Sequence, residues 1–117
     1  MPKGARNTTI RRHLGMNLKY GRTLLGLTQE QLAERVNVDR SLVGAIERGT
    51  SGASIDSLVT LGAAIHVPAH VLIMPPAEAH PLILAGIQPL LQKAQIDGLI
   101  EGKNLPAGKK RKRYTGL

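Results

Sequence analysis

The sequence predicts an all-α protein with five short helices, a short helical C-terminal extension and a basic tail. Two observations lead to this class. Between residues 10 and 74, apolar residues recur at spacings of three and four, the period of a helix that is buried on one face. The chain also lacks Phe and Trp and has only 2 Tyr, so its core must consist of Leu, Ile, Val and Ala. That supply is enough for a helical domain of about 60–70 residues.

The first helix is predicted from about residue 10 to 25, because Leu14 and Leu18 share one face and Gly26 is a suitable stop. The residues before it, 1–9, are polar and are expected to form a flexible basic arm.

The second helix is predicted at about 29–36. Thr28 is a good N-cap residue, and Gln31 stands three positions later, which is the spacing of a capping box. Asn37 suits the left-handed conformation that ends a helix. A tight turn is expected there, since the next helical pattern begins only a few residues later.

The third helix is predicted at about 40–48, between Asp39 as its candidate N-cap and Gly49 after its last turn. Its small and basic residues are expected to point outward, and a short helix of this kind fits the major groove of DNA. The residues expected to point into the core are Leu42, Val43 and Ile46.

Two more helices complete a predicted domain over residues 10–74. Ser54 is a candidate N-cap of the fourth helix, and His66 stands at its C-terminal boundary, where His tolerates a positive φ. Pro68 is expected to start a fifth helix that extends to Leu72. The fourth helix has a wide apolar face made of Ile55, Leu58, Val59, Leu61 and Ile65.

The composition changes after the Pro75-Pro76 pair, which defines an extension over residues 75–104 and a basic, disordered tail over 105–117. The interpretation that we favour is that the apolar segment 82–100 pairs two copies of the chain. Alternatives are that it folds back on the first five helices as a lid, or that residues 78–101 bind another protein.

Helix breakers divide this extension into two predicted pieces. Gly86 and Pro89 favour helices at about 78–85 and 89–101, and Gly102 is expected to end the second.

The charge balance points to a polyanionic partner. Sixteen Lys and Arg against eight Asp and Glu give a formal net charge of +8, which fits nucleic acid and, less specifically, an acidic membrane surface. No Cys is present, so disulfides and thiolate metal sites are excluded. No apolar run reaches the ~18–20 residues of a membrane span, and residues 1–12 carry no secretory signal. We therefore expect a cytoplasmic protein that associates with the nucleoid.

No set of residues for catalysis stands out. The sequence shows no paired carboxylates, no nucleophile–base set and no phosphate loop, so we predict that the chain is not an enzyme and uses no cofactor. His66 and His70 have the spacing of two metal ligands on one helix face, but Pro68 lies between them and no third ligand is evident. We expect no metal site.

From about Leu14 to Ile73, the arrangement resembles the Xre/Cro/C1 family of lambda-repressor-like DNA-binding domains. A bare helix-turn-helix pattern is weak evidence, whereas eight or more family positions in register are strong evidence. The resemblance implies a lambda-repressor-like fold that binds double-stranded DNA. The residues that carry it are Arg22, Gly26-Leu27-Thr28-Gln29, Leu32-Ala33, Val36, Val43, Ile46-Glu47-Arg48-Gly49 and Ile65-His66-Val67.

The resemblance also implies roles for individual residues. Gln29 matches a phosphate contact at the start of the second helix. Arg22 and Glu47 match an ion pair between the first and third helices, which also presents Arg22 near the DNA backbone. On the third helix, Arg40 is the best candidate for a contact with guanine, whereas Asp39 is more often a cap than a reader of bases. The complete set expected on DNA is Arg22, Thr28, Gln29, Asp39, Arg40, Ser41, Gly44, Ala45, Arg48, Thr50 and Ser51.

Three residues depart from the family pattern. Gly21 stands where the family has a bulky apolar residue, so Leu24 or Leu25 is expected to fill the core there. Gly44 lies inside the third helix, at a cost of about 1 kcal/mol relative to Ala, and Asn37 replaces the usual turn glycine.

The sequence thus predicts a transcriptional regulator, acting as a repressor, that binds a pseudo-palindromic operator as a homodimer. An antitoxin-like interaction module, whose residues 78–101 bind a partner protein, is the alternative. A third hypothesis, an RNA-binding protein or general transcription cofactor, is disfavoured because the chain has no aromatic stacking platform.

Overall fold

The computed structural model describes residues 7–101, and the side chains of residues 7–94. Over that range it contains helices and no strand, which confirms the all-α class. None of the described helices has the length and apolar character needed to cross a membrane. The predicted tail, residues 105–117, lies outside the described residues. The helices are α1 (Thr8–Leu24), α2 (Gln29–Val36), α3 (Arg40–Arg48), α4 (Ile55–Ala64), α5 (Ala69–Leu72) and α6 (Pro76–Glu101).

The first helix begins earlier than predicted. Asn7 is its N-cap, and the Asn7 side-chain oxygen accepts a hydrogen bond from the backbone N–H of Ile10 at 2.9 Å. Thr8 and Thr9 therefore belong to α1 and not to the flexible arm that was predicted over residues 1–9. The rest of that arm, residues 1–6, lies outside the described residues.

The next two helices have the predicted bounds, and the predicted caps of α2 form. The Thr28 hydroxyl accepts a hydrogen bond from the Gln31 N–H at 3.0 Å, and the Gln31 side-chain oxygen accepts one from the Thr28 N–H at 2.9 Å. Asn37 adopts the left-handed conformation, with φ 59° and ψ 50°. Asp39 has the extended backbone of an N-cap, but its carboxylate makes no cap hydrogen bond to α3. Asp39 therefore occupies the N-cap position of α3, but its side chain does not cap the helix.

The first helix is central to the domain and packs against α3, α5 and α6. At Gly15, the backbone of this helix lies directly against the backbone at the end of α3. A Cβ atom built on Gly15 would lie 2.6 Å from the carbonyl oxygen of Glu47 and would also collide with that of Ile46. The buried core is entirely aliphatic and consists of Leu14, Leu18, Leu32, Ala33, Val43, Ile46, Leu61, Ala64, Ile65, Val67, Val71, Leu72, Ala79, Ile83 and Ile87.

The space at Gly21 is filled by Ile65 and Ile83, so the prediction that Leu24 or Leu25 would fill it is wrong. A Cβ atom on Gly21 would lie 2.7 Å from Ile65 Cδ1 and 3.5 Å from Ile83 Cγ2. Leu24 and Leu25 pack, partly buried, at the margin of the core. Because Ile83 comes from α6, the core extends beyond the predicted domain end at residue 74.

A buried amide joins α1 to the end of α5. The Asn17 side-chain NH₂ donates hydrogen bonds to the carbonyl oxygens of Leu72 at 2.9 Å and Met74 at 2.8 Å. These carbonyls would otherwise lack partners as the chain leaves α5 and turns into α6. Asn17 was not predicted as a structural residue, although its position three residues after Leu14, within the apolar stripe of α1, is a recognisable signal.

The last helix is continuous, so the prediction of two pieces separated at Gly86 and Pro89 is wrong. Ala79, Ile83 and Ile87 recur every four residues and are all buried in the core. This stripe continues across Gly86, so packing stabilises the helix through that position and offsets the backbone hydrogen bond that Pro81, also inside the helix, cannot donate.

The first half of α6 is therefore the lid considered among the alternatives. Its attachment to α1 includes the Tyr20 and His80 rings, which stack with centroids 4.0 Å apart and planes 7° from parallel. The change of composition at Pro75-Pro76 does not coincide with a boundary in packing. Gly102, the predicted end of this segment, lies outside the described residues.

The fourth helix has a narrower buried face than predicted. The Ser54 hydroxyl caps it, as expected, by accepting a hydrogen bond from a first-turn N–H at 3.0 Å. Leu61 and Ile65 are buried, but Ile55 is 77% exposed and Val59 is 55% exposed. These two side chains lie on the solvent side of α4, one turn apart.

The turn after α4 brings in α5. His66 has the predicted positive φ, at 62°. Pro68 is the N-cap of α5, with an extended ψ of 143°, and not its first residue. Partial burial and the nearby Arg35 charge lower the pKa of the His66 imidazole below its usual value, which favours the neutral ring at neutral pH.

Two glycine-to-alanine substitutions should change stability in opposite directions. Gly15→Ala places a methyl group against two carbonyl oxygens of α3 and should lower the free energy of unfolding by about 2–3 kcal/mol. Gly86→Ala meets only the His66 carbonyl oxygen, at an ordinary 3.5 Å, and should raise stability by about 0.5–1 kcal/mol because alanine loses less entropy in a helix. Urea denaturation of both variants measures the effects. Equal changes would contradict the close approach of α1 and α3.

Candidate nucleic-acid interface

The third helix presents one face to the core and the opposite face to solvent. Val43 and Ile46 anchor it in the core. Arg40, Ser41 and Arg48 are exposed. Since residues near the N-terminus of such a helix are those that reach base edges in the major groove, this exposed face is the candidate reading surface.

A buried ion pair fixes the position of this helix. Arg22 Nε lies 2.6 Å from Glu47 Oε2, and Arg22 Nη2 donates to Glu47 Oε1 at 2.9 Å. The two side chains are only 10% and 3% exposed. This bidentate geometry is the strongest form of a carboxylate–guanidinium contact, and it confirms the pair implied by the family resemblance.

Two further hydrogen bonds connect the pair to α2. Arg22 Nη1 donates to the carbonyl oxygen of Leu27 at 2.6 Å, and the Gln29 side-chain amide donates to Glu47 Oε1 at 3.0 Å. The network therefore joins α1, the start of α2 and the end of α3. Its direct consequence is structural, because Arg22 is enclosed and the Gln29 amide is already engaged. Phosphate contacts by these two residues stay predictions.

Gly44 lies on the same face of α3 as Arg40 and Arg48, four residues from each, but it is not exposed. It is buried beneath neighbouring side chains, and a Cβ atom on it would lie 3.1 Å from Arg48 Nη1 and 3.5 Å from Gln29 Oε1. The missing side chain lets the Arg48 guanidinium fold over α3 toward the start of α2. Gly44 thus shapes the surface without contributing a side chain to it, and Ala45 beside it is half-buried.

Leu42 is not a core residue, contrary to prediction. It is 38% exposed, because it lies about 100° around the helix from Val43 and so falls outside the seam between α3 and the core.

The loop after α3 is held in place by local hydrogen bonds. Gly49 has a φ of 81°. The Thr50 hydroxyl donates to the Ala45 carbonyl oxygen at 3.1 Å, and the Ser51 hydroxyl donates to that of Gly52 at 3.1 Å. Both hydroxyls retain acceptor lone pairs, and the loop adjoins the exposed Arg48. Thr28, at the start of α2, is likewise exposed.

Within the described residues, no three His, Asp or Glu side chains converge as a metal site would require. His66 and His70 lie on either side of the turn that separates α4 from α5. They do not share a helix face.

Replacing Glu47 should disrupt the hydrogen-bond network, because Glu47 accepts from both Arg22 and Gln29. In Glu47→Ala, the Arg22 guanidinium stays enclosed without its carboxylate, so the free energy of unfolding should fall by about 3 kcal/mol or more. Glu34→Ala removes the same charge from an exposed position on α2 and should have little effect. Chemical denaturation compares the two variants. Similar losses in both would show that the pair does not position α3.

The comparisons with known proteins agree with this geometry. A family model described as Helix-turn-helix matches residues 18–72. The chain is 33% identical over 69 residues to a protein of Neisseria meningitidis serogroup B, named Neisseria hypothetical transcription factor. The match covers 59% of this chain and 65% of the relative, so the chain spans just under two thirds of that protein's length.

Two solved structures have the same fold. One is the crystal structure of hypothetical transcription factor NHTF from Neisseria, at 30% identity and a TM-score of 0.58, covering 70% of this chain and 95% of that one. The other is the restriction-modification controller protein C.AhdI from Aeromonas hydrophila, at 35% identity and a TM-score of 0.51, covering 53% and 94%. These relatives are regulators and not enzymes, in agreement with the prediction for this chain. The chain belongs to the Xre/Cro/C1 family of helix-turn-helix proteins.

Proposed function

We propose that this protein is a sequence-specific transcriptional regulator, a repressor that binds a pseudo-palindromic operator as a homodimer. The observation that carries the proposal is the exposed, basic outer face of α3, held in a fixed orientation by the buried Arg22–Glu47 pair. In the complex, α3 lies in the major groove, and repression follows from occupancy of the operator.

Base reading is assigned to the first turn of α3. Arg40 is exposed, and its guanidinium can donate two hydrogen bonds to O6 and N7 of guanine. Ser41 contributes a hydroxyl to bases or phosphates. Asp39 is exposed and makes no cap hydrogen bond, so its carboxylate can accept from a cytosine amine. Ala45 offers a methyl group and no polar atom.

Phosphate binding is assigned to two elements beside α3. One is the start of α2, where Thr28 and Gln29 stand beside backbone N–H groups at a helix N-terminus. The other is the loop that begins at Arg48 and includes the Thr50 and Ser51 hydroxyls. These contacts position α3 without reading sequence.

Arg40→Ala tests the reading role. Specific binding should weaken by about 1–3 kcal/mol, with relaxed preference at one base pair per half-site. Selection of bound duplexes from a random pool, followed by sequencing, measures the preference. Lys19→Ala, an exposed cation on α1, is the control and should select the unmodified motif. If the Arg40 variant had wild-type affinity and selected the wild-type DNA motif, Arg40 would not be a residue that reads bases.

Homodimerisation is assigned to the second half of α6. Among the described side chains of this helix, Ile87 is the last that is buried, and Leu90 and Leu91 beyond it are exposed. Two copies can bury this apolar surface against each other and bring their α3 helices about one DNA turn apart, near 34 Å. A partner protein is the competing occupant of the same surface. Ile55 and Val59 on α4 form a competing surface for self-association.

Sedimentation of two double variants distinguishes these surfaces. The unmodified protein should be a dimer at tens of micromolar, and Leu90→Asp/Leu91→Asp should be a folded monomer with much weaker operator binding. Ile55→Asp/Val59→Asp is the matched control and should remain dimeric. If the unmodified protein were a monomer, dimerisation would be excluded and binding of a partner protein favoured. If only the α4 variant were a monomer, the dimer interface would lie on α4.

A further inference from the structure

We infer that Arg11 and Arg12, near the start of α1, form an additional DNA contact that binds backbone phosphates at the edge of each half-site. The inference rests on the DNA-binding function proposed above and extends its surface from α3 to α1. The ligand is the sugar–phosphate backbone of duplex DNA, bound irrespective of base sequence.

Both arginines lie against the loop that follows α3. A Cβ atom on Gly49 would lie 3.2 Å from Arg12 Cγ, and one on Gly52 would lie 3.0 Å from Arg11 Nε. Because neither glycine has a side chain, the two arginines cover the loop backbone directly. The same loop carries the hydroxyl groups proposed as phosphate contacts, so cations and hydroxyls occupy one continuous surface beside the reading helix.

No acidic residue from the N-terminal part of the chain neutralises this surface. The first acid in the sequence is Glu30, whereas Lys3, Arg6, Arg11, Arg12, Lys19 and Arg22 all precede it. In the described part of the chain, Arg22 is paired with Glu47, but Arg11 and Arg12 have no carboxylate within ion-pair distance. Their charges are therefore available to an anion from outside.

The placement of these charges is unfavourable for α1 alone. The N-terminus of a helix carries a partial positive charge that acids stabilise and cations oppose. The first turn of α1 contains no acid, and Arg11 and Arg12 follow it immediately. A DNA phosphate at this position interacts favourably with the arginines and with the helix terminus together. The arrangement thus suits an anion-binding surface better than a solvated helix end.

The double variant Arg11→Gln/Arg12→Gln tests the inference through salt dependence. Fluorescence anisotropy titrations use two duplexes of equal length, the operator obtained by random-pool selection and a scrambled sequence. Each phosphate contact contributes about 0.9 to the slope of log K against log salt, so the slope should decrease by about 1.8 per protomer. Affinity near 0.1 M salt should fall on the order of tenfold or more on both duplexes. The selected motif should be unchanged.

Lys19→Gln is the control and is compared with the single variants Arg11→Gln and Arg12→Gln, since each of the three removes one charge and Lys19 is exposed on α1 away from the loop. Its slope should stay close to that of the unmodified protein, and circular dichroism melting verifies that all variants are folded. An unchanged slope in the arginine variant, or an equal change in the lysine variant, overturns the inference. Absence of any preferred motif for the unmodified protein contradicts the proposed function instead, while the slopes still report on the arginines.

Discussion

A buried ion pair holds α3, the candidate reading helix, in place, and the candidate interface depends on it. Arg22 and Glu47 are almost fully removed from water, which is costly for both charges unless their hydrogen bonds are satisfied. Here the guanidinium also donates to the Leu27 carbonyl oxygen, and the carboxylate also accepts from Gln29. An apolar pair of similar size would pack equally well, but it would not specify the directions in which three helices meet. The pair therefore acts on geometry more than on stability.

The first helix connects the ion pair to the other helices, because it packs against α3, α5 and α6. Gly15 brings its backbone against the end of α3, and Gly21 admits side chains from α4's C-terminus and from α6. Between them, Asn17 binds the carbonyl groups that connect α5 to α6. The reading helix and the C-terminal helix are consequently supported by the same rigid element. A dimer built through α6 would thereby set the separation of the two reading helices.

The sequence predicted a structural feature correctly where the interaction that determines this feature joins residues close together in the chain. The capping box before α2 and the left-handed residue after it involve neighbours three or four residues apart, and both form as predicted. The errors concern contacts between distant segments. The exposure of Leu42 depends on where α3 meets the core, and helix continuity through Gly86 depends on the burial of Ile83 and Ile87 in the core. Neither is visible in a local pattern. The Arg22–Glu47 contact joins residues 25 apart and was predictable only through the family resemblance.

The reading face of α3 has few side chains, and this limits how sequence specificity can arise in the proposed complex. Gly44 contributes none and Ala45 a single methyl group, so Asp39, Arg40 and Ser41 are the main groups left to discriminate bases. Each mismatch costs about 1–3 kcal/mol, and separate positions contribute roughly additively. Phosphate contacts strengthen binding to every sequence alike and cannot compensate for a small reading set. A second copy on a pseudo-palindrome doubles the number of bases read. In the proposed complex, therefore, pairing of two chains would supply specificity as well as affinity.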